Sequence, residues 1–456
     1  MSDDAALEQL VAAVGADAVL TRPESIQAYR HDWTGDRSAG MPLAVVRPTT
    51  AAQVQATMRW ASAHGTPVVP RGAGSGLSGG SLAVEGGITL SLDRMREVTI
   101  DPTTRTAVVE PGALNAEVKK AASAYGLWYP PDPSSFEICS IGGNIATNAG
   151  GLCCVKYGVT TDYVLGLDVV LADGTLISLG GPRIKDVAGL SLLKLFVGSE
   201  GTLGIVTRAT LRLIPRQEPA ATLVATFPDV ASAARAVVAI GATLRPSMLE
   251  LMDRASINAV EDYRPMGLDR GAGALLLAQS DAAGGVCSTE VQTMDSVCRA
   301  AGATECFTTE DAEEGEQFAQ ARRAAFPAIE RRGSLLLEDV GVPIPLLPDL
   351  LTGIEAIANR YAVEIPVVAH AGDGNTHPII VHDAASPDSA ARARNAFDAI
   401  MALAISLGGT ITGEHGVGRL KKSALPDQLG PDVMALTRRI KDALDPGGIL
   451  NPGVIL

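Results

Sequence analysis

The chain lacks a run of basic residues, a leader pattern and any long apolar stretch, and each absence excludes a class of protein. It carries 37 basic against 51 acidic residues, a net charge of −14, so a nucleic-acid partner is not expected. The acidic start, MSDD, is unlike a secretory or mitochondrial leader. No apolar run reaches the ~18 residues that a membrane-spanning helix requires. Together these absences predict a soluble, cytoplasmic protein without a transmembrane segment.

Cysteine is also scarce. Six cysteines, none of them in a CxxC pair, predict reduced and mostly buried thiols. They supply no ligand set for an iron–sulfur cluster, so any such cluster would belong to a partner. The neighbours Cys153 and Cys154 are compatible with a redox pair, but two small core residues are the favoured interpretation.

Apolar residues and glycine are abundant, in contrast. The apolar share is 46% of 456 residues, which is enough for the cores of two or three domains. A change of pattern around residues 215–219 marks a domain boundary. The predicted domains are 1–216, 217–410 and a C-terminal segment, 411–456.

Histidine and glutamate concentrate in two short pieces, HAGDGNTH at 370–377 and GEHG at 413–416. Turn-forming residues separate His370 from His377, and apolar runs of strand type flank them. The pattern predicts a strand, a tight loop and a strand, with both imidazoles at one end. Imidazole and carboxylate are common ligands of Zn²⁺ and Mn²⁺, which makes a metal site the first hypothesis. The alternative is a hairpin whose histidines only cap a loop.

The richest glycine loop is RGAGSGLSGG at 71–80, and it contains the GxGxxG spacing of dinucleotide-binding folds. That fingerprint requires a helix directly after the loop, whereas the residues that follow, 81–92, are glycine and a strand-type run. A nest of backbone N–H groups between two strands can still bind pyrophosphate. Contact with phosphate and a plain hairpin therefore both remain open, and an NAD-type fold is not favoured.

Two further loops of this kind follow at 140–151 and 198–205, and both are predicted to expose bare backbone to a ligand. Three glycine-rich loops interleaved with strands within about 215 residues indicate one large cofactor held along its length.

These motifs together resemble the FAD-linked 2-hydroxyacid dehydrogenases, of the vanillyl-alcohol-oxidase type of flavoprotein. The resemblance runs from about residue 40 to the end and covers, in order, PRGAGSGLSGG (70–80), CSIGGN (139–144), Tyr157-Gly158, GSEGTLGI (198–205), HAGDGNTH (370–377), GEHGVG (413–418) and NPG (451–453). It implies an α+β fold with a two-part FAD-binding domain, an inserted α/β substrate domain and a C-terminal segment that returns to the first domain.

The resemblance also implies which residues contact FAD. The loop contacts around the pyrophosphate are Arg71, Gly72, Gly74, Ser75, Gly76, Leu77 and Ser78; the residues that line the flavin are Ser140, Gly143, Asn144 and Gly150; those near the adenosine half are Glu200, Gly204 and Ile205; and the other contacts are Pro131, Asp132, Thr147 and Asn451. Neither His31 nor His64 lies in a tethering motif, so the FAD is expected to be non-covalent.

One arginine gains a role from the same resemblance. Residues 310–325 predict a polar helix, on which the pair Arg322 and Arg323 would ordinarily be solvated. The segment ARRAAF (321–326), however, is similar to the stretch of the glycolate and lactate enzymes whose arginine binds the substrate carboxylate, which implies that role for Arg322. A planar guanidinium suits a carboxylate because it binds bidentately.

The implied reaction is oxidation of a 2-hydroxy acid to the 2-oxo acid. His370, His377 and Glu414 would bind a divalent metal, with Zn²⁺ expected, and His415 would act as general base while hydride passes to the flavin. Leu337 stands where the 2-hydroxyglutarate enzymes place a lysine, which favours D-lactate or glycolate over D-2-hydroxyglutarate. A quinone, a cytochrome, an electron-transfer flavoprotein and oxygen all stay open as the electron acceptor. A homodimer and a subunit of a larger glycolate oxidase complex are both compatible with the sequence.

Overall fold

The computed structural model describes residues 3–36 and 38–456. Its strands are β1 (Val19–Leu20), β2 (Ala44–Val46), β3 (Val68–Arg71), β4 (Ile88–Ser91), β5 (Val98–Asp101), β6 (Thr106–Val109), β7 (Leu127–Trp128), β8 (Val164–Val170), β9 (Leu176–Gly180), β10 (Ile205–Arg212), β11 (Ile214–Pro215), β12 (Ala221–Phe227), β13 (Met248–Asp253), β14 (Ala274–Ser280), β15 (Glu305–Thr309), β16 (Ser334–Leu337), β17 (Val340–Gly341), β18 (Val367–His370) and β19 (Asn375–His382).

The helices alternate with these strands along the chain. They are α1 (Asp3–Val14), α2 (Pro23–Gln27), α3 (Ala51–His64), α4 (Asn115–Ser123), α5 (Ile141–Thr147), α6 (Cys154–Tyr157), α7 (Leu192–Phe196), α8 (Val230–Gly241), α9 (Arg254–Tyr263), α10 (Val286–Ala300), α11 (Ala312–Arg323), α12 (Ala325–Glu330), α13 (Leu347–Tyr361), α14 (Pro387–Ser406) and α15 (Leu425–Leu444). No helix in the described parts of the chain is long and apolar enough to cross a bilayer.

The chain folds into two compact units. The first unit comprises Met1–Gly150, Val159–Arg216 and Glu414–Leu456, and the second comprises Gly151–Gly158 and Gln217–Gly413. Residues 151–158 group with the second unit, although the sequence assigned all of 1–216 to one domain. Within that unit Lys156 forms an ion pair with Asp281, and the Tyr157 hydroxyl donates a hydrogen bond to the same carboxylate.

The first unit contains two main sheets. One has the order β1-β2-β4-β3, in which β2, β4 and β3 are parallel, and α1 and α3 contribute to the core beside it. The other is antiparallel, in the order β5-β6-β10-β8-β9. The C-terminal tail returns to the first sheet, as predicted, because Leu450 bridges Val68 in parallel and the Asn451 N–H donates to the Val68 carbonyl at 2.8 Å.

The second unit is built on one eight-stranded sheet of order β15-β12-β14-β13-β18-β19-β16, with β17 paired to β19. Every pairing in it is antiparallel. Strands β12 and β13 are therefore parallel to each other with β14 between them, a split form of the βαβ unit. The mixture of helices and sheets confirms the α+β class.

The glycine-rich segment 140–151 is not the open loop that its composition indicated. It contains α5, because Ser140 caps the helix by accepting from the Gly143 N–H at 3.3 Å. Ile141 and Ile145 are fully buried one turn apart. Capping and burial thus outweigh the low helix propensity of glycine.

Candidate functional site

The first glycine loop connects two parallel strands of the first unit. Residues 72–87 lie between β3 and β4, which pair with Val68 opposite Ile88. Parallel pairing excludes the plain hairpin, and the next helix along the chain is α4, far beyond the loop. The dinucleotide fingerprint is therefore coincidental, as its context in the sequence indicated.

Five consecutive amides of this loop face no protein acceptor. Within the described parts of the chain, the N–H groups of residues 74–78 donate no hydrogen bond to backbone or side chain. A built Cβ on Gly76 would meet open space, with no heavy atom within 4 Å. Clustered free amides at a glycine loop form an anion nest. The loop thus fits the pyrophosphate of a dinucleotide.

The loop is held in place by close backbone contacts within the first unit. The Ser140 hydroxyl accepts from the Ala73 N–H at 3.2 Å, and a Cβ on Gly72 would collide with that hydroxyl. Gly418 has φ +55°, and its Cβ would overlap the Ser78 carbonyl oxygen. Any side chain at these two glycines would displace the loop, which explains why bare backbone is required there.

Glu200 supports the loop from behind. Its buried carboxylate accepts from the N–H groups of Val417 at 2.7 Å and Gly418 at 2.8 Å. Burial raises the pKa of Glu200 to about 7, against the lowering effect of these two amides. The Asn451 amide donates to the Glu200 carbonyl at 2.7 Å and to the Gly80 carbonyl at 2.9 Å. Both side chains are therefore used in tying the loops together.

Several other predicted FAD contacts also point their side chains at protein. Asn144 is buried, and its side-chain amide donates to the Cys139 sulfur at 3.2 Å. The side-chain oxygen of Asn144 accepts from the Asn115 amide at 3.1 Å. Ile205 is 1% exposed and belongs to the core. A Cβ at Gly204 would meet the Val169 side chain at 2.5 Å. At these positions only backbone is left for a ligand.

The remaining predicted contacts surround α5 in the first unit. The Thr147 hydroxyl donates to the Gly143 carbonyl at 3.3 Å, and the buried Pro131 carbonyl accepts from Asn115 at 3.2 Å. Asp132 is half-buried and Gly150 is buried. The glycine loop and the start of α5 are joined through Ser140, so two of the three predicted glycine-rich segments form one surface.

The second unit brings the two histidines together. Strands β18 and β19 pair with Val368 opposite His377, so His370, two residues along from Val368, lies on the same face. The ring centroids are 5.0 Å apart, edge to face, and both side chains are nearly inaccessible. The four-residue connection turns at Gly374, where φ is +81°. The predicted strand, tight loop and strand is confirmed.

A buried carboxylate connects one of these histidines to Arg322. Glu250 on β13 is 1% exposed; its Oε1 lies 2.8 Å from His370 Nδ1, and its Oε2 lies 2.9 Å from Arg322 Nε. Arg322 is 5% exposed, whereas Arg323 reaches outward to Glu316. The alternative of a solvated side chain is therefore excluded for Arg322, because the end of α11 is turned into the unit.

A second carboxylate lies beside the other histidine. Asp339 is fully buried, with Oδ1 3.7 Å from His377 Nδ1. Its Oδ2 accepts from the Thr412 hydroxyl at 2.7 Å and from the Gly413 N–H at 2.9 Å. Asp339 thus fixes the residue that directly precedes Glu414 in the sequence.

Glu414 and His415 open the last segment of the first unit. His415 Nε2 lies 3.7 Å from the Glu414 carboxylate, and both side chains are largely buried. The Ser78 hydroxyl donates to the carbonyls of Gly416 at 2.8 Å and His415 at 3.1 Å. The general-base candidate is thereby tied to the loop that fits pyrophosphate.

Sequence reasoning missed Glu250 and Asp339. A signal existed for the first, since Glu250 is one acidic residue inside the otherwise apolar run MLELM of a buried strand. Asp339 follows Glu338 directly after the apolar strand β16. An acidic side chain in a fully buried strand requires a partner, so such positions point to a site.

Two family models match the chain. The FAD binding domain matches residues 42–180, and the C-terminal domain of FAD linked oxidases matches residues 216–455. These matches define an FAD-linked oxidoreductase. Glycolate oxidase subunit GlcD of Bacillus subtilis is 40% identical over 449 residues, 98% of this chain and 95% of the relative. D-lactate dehydrogenase of Archaeoglobus fulgidus is 34% identical over 437 residues, 94% and 95% of the two chains. The chain belongs to the FAD-linked 2-hydroxyacid dehydrogenase family.

A solved structure supports the fold. P-cresol methylhydroxylase with substrate bound has a TM-score of 0.83 at 19% identity, covering 99% of this chain and 96% of that chain. At this identity the likeness concerns the fold alone. The resemblance seen in the sequence, the assignment as an enzyme and FAD as the cofactor are confirmed.

Proposed function

We propose that the chain oxidises a small 2-hydroxy monocarboxylate, D-lactate or glycolate, to the 2-oxo acid. The main support for this proposal is the environment of the Arg322 side chain. Its Nε and Nη2 are buried and form no hydrogen bond with the described residues, although Nε lies 2.9 Å from the carboxylate of Glu250, the residue that also contacts His370. A buried donor without a partner is costly, and a substrate carboxylate would satisfy it.

The ligands of a divalent metal, with Zn²⁺ expected, are His370, His377 and Glu414. The donor set fits, since two imidazoles converge on one face and a carboxylate contacts Nδ1 of His370, as is usual behind a ligating histidine. When bound, FAD supplies the hydride acceptor, and the metal lowers the pKa of the substrate hydroxyl by several units.

His415 is the general base in this proposal. An imidazole takes a proton near neutral pH, and Nε2 of His415 lies 3.7 Å from the Glu414 carboxylate. Arg322 binds the substrate carboxylate and so orients the C2–H bond. The hydrogen bond from the Ser78 hydroxyl to the His415 backbone carbonyl limits how far this residue moves.

The expected size of the substrate depends on Leu337. This residue lies on β16 opposite Ile379 and is 6% exposed, so the position offers an apolar side chain and no cation. A second carboxylate would gain no charged partner there. D-2-hydroxyglutarate is therefore the alternative substrate, less favoured than a monocarboxylate.

A second candidate function is that of a flavin subunit that works only in a larger assembly, with electrons leaving to a quinone, a cytochrome or an electron-transfer flavoprotein. This candidate is supported by the similarity to the Bacillus subtilis relative, which is a glycolate oxidase subunit. If the isolated chain is reduced by substrate but turns over only after extract is added, this candidate is supported.

The test is anaerobic bleaching of the flavin absorbance by D-lactate, glycolate and D-2-hydroxyglutarate, before and after treatment with a chelator. We expect rapid bleaching by one of the two monocarboxylates, and loss of that bleaching on chelation. Faster bleaching by D-2-hydroxyglutarate would overturn the substrate assignment, and bleaching unaffected by complete metal removal would overturn the metal.

A further inference from the structure

Glu250 lies beside His370 in the sheet of the second unit. It lies on β13, which pairs with β18 with Leu251 opposite Ala369, so Glu250 and His370 are neighbours across adjacent strands. Its side chain is 1% exposed. The other acidic residue of the strand, Asp253, is occupied in capping α9 through the Ser256 N–H at 2.8 Å.

The two oxygens of Glu250 serve different partners. Oε1 lies 2.8 Å from His370 Nδ1 and Oε2 lies 2.9 Å from Arg322 Nε, and all three side chains are buried. A carboxylate taken out of water needs such partners to stay charged, and a buried arginine needs a counter-charge. One residue therefore holds two side chains with different proposed roles.

We propose that Glu250 is a positioning residue that fixes the tautomer of His370 and the orientation of Arg322, so that metal affinity and substrate-carboxylate affinity both depend on it. This inference rests on the proposed function of the same site.

The effect on His370 follows from hydrogen-bond roles. A carboxylate only accepts, so its contact with His370 requires a proton on Nδ1. The lone pair of the ring then lies on Nε2, which is the nitrogen able to ligate a metal. Glu250 selects the ligating tautomer in this way.

The effect on Arg322 follows from the shape of guanidinium. The ion pair with Glu250, in which Nε lies 2.9 Å from Oε2, holds the planar group in place, and the buried Nε and Nη2 donors have no hydrogen-bond partner among the described residues. A fixed plane loses less entropy when it binds a carboxylate in two places. Glu250 thereby contributes to substrate affinity without touching substrate.

The decisive variant is Glu250→Gln, which keeps the shape but cannot satisfy both partners. If the amide oxygen faces Arg322, the amide NH₂ faces His370 and demands an accepting Nδ1, which moves the proton to Nε2. If the amide turns over, its NH₂ meets the donors of Arg322. Either orientation disrupts one partner, whereas the carboxylate serves both.

The matched control is Glu261→Gln. Glu261 is also buried in the second unit, and its Oε1 accepts from the N–H groups of Met266 and Leu268, both at 2.8 Å. A glutamine oxygen can accept both of these bonds, so the control changes a buried glutamate to glutamine and leaves the site intact.

The experiment measures Zn²⁺ affinity of the metal-stripped, FAD-loaded chain by equilibrium dialysis with the metal alone, and then KM and kcat for D-lactate. We expect Glu250→Gln to raise the Kd for Zn²⁺ by about 10- to 100-fold and to raise KM, with flavin content unchanged. Glu261→Gln should match the wild type in all three. Equal Zn²⁺ affinity of Glu250→Gln and wild type would overturn the inference and leave the proposed function standing.

Two further outcomes are decisive. If the wild type binds no Zn²⁺, the proposed metal site fails, and the inference fails with it. If Glu250→Gln does not fold, the double variant Glu250→Met and Arg322→Met replaces the ion pair by apolar side chains of similar size, an exchange that buried pairs often tolerate. The same rise in the Kd for Zn²⁺ is expected there, and a wild-type Kd would refute the role in metal binding.

Discussion

The two units form their candidate sites from different groups, backbone amides in the first unit and side chains in the second. In the first unit the predicted cofactor contacts are backbone amides of the loop 71–80, and side chains such as Asn144 and Glu200 form hydrogen bonds within the protein. In the second unit the candidates are side chains, the two imidazoles with Glu250 and Arg322.

This difference teaches which part of a site a sequence reveals. A backbone site needs glycine where a Cβ has no room, and such glycines cluster in contiguous, readable motifs. A side-chain site needs single residues from distant strands, and 120 residues separate Glu250 from His370. Variants of the glycine loop in the first unit and of the side chains in the second unit will therefore test the two kinds of site separately.

The largest effect is expected for Arg322→Lys. Lysine keeps the charge but loses the planar fork, so both the contact to Glu250 and bidentate binding of the substrate are weakened. With about 1.5–3 kcal/mol for each charge-assisted bond, kcat/KM for D-lactate should fall by about 100- to 1,000-fold. The control Arg323→Lys changes an arginine whose side chain is partly exposed and paired with Glu316, and it should stay within threefold, about 0.5 kcal/mol. Equal losses in both variants would contradict a specific role for Arg322.

The next effect concerns Glu200, whose pKa is raised by burial to about 7 from 4.5. Between these values the folded chain holds a proton that the unfolded chain releases, so the stabilising contribution is fully present below 4.5 and is lost as pH rises through 7. The shift corresponds to about 3 kcal/mol. Urea unfolding of wild type and Glu200→Gln from about pH 4.5 to about pH 8 should show the wild type losing that amount relative to the variant. A difference that does not vary with pH would argue against a protonated Glu200.

The contrast between a backbone site and a side-chain site also explains which features could be predicted from the sequence. The paired imidazoles were predictable because Gly372, Asp373 and Gly374 between β18 and β19 are turn formers and the flanking runs are apolar. The glycine loop was predictable because strand-type residues, and no helix, follow it. In each case all of the information lies within about ten residues.

The features that local patterns did not reveal depended on tertiary contacts. Helix α5 forms inside a glycine-rich stretch because Ser140 caps it and two isoleucines are buried, and neither burial nor the cap can be read from composition. The burial of Arg322 depends on where α11 ends against the sheet. Residues 151–158 join the second unit through Asp281, which is far away in the sequence. Local patterns do not encode such pairings.

A smaller effect is expected for Gly76→Ala. The built Cβ meets nothing within 4 Å and the φ of this glycine is not positive, so the variant should fold with unchanged stability. If the pyrophosphate approaches the free amides of the loop closely, the methyl group obstructs it, and the Kd for FAD should rise by about tenfold, or about 1.4 kcal/mol. The control is Gly241→Ala, a similarly open glycine in the second unit. Unchanged FAD affinity in Gly76→Ala would place the cofactor away from this loop.

The smallest effect is expected for a serine-to-alanine change at a helix cap. The same change can be made in both units, so it compares them most directly. Ser140 caps α5 and Ser386 caps α14, each accepting a backbone N–H at 3.3 Å. Changing either serine to alanine should cost about 1 kcal/mol of stability through the lost cap. Ser140, however, also accepts from Ala73 in the glycine loop at 3.2 Å. Only Ser140→Ala should therefore weaken FAD binding, by a few-fold in a fluorescence titration. If Ser386→Ala weakened FAD equally, the loss would follow from general destabilisation, and the backbone site would not depend on its link to α5.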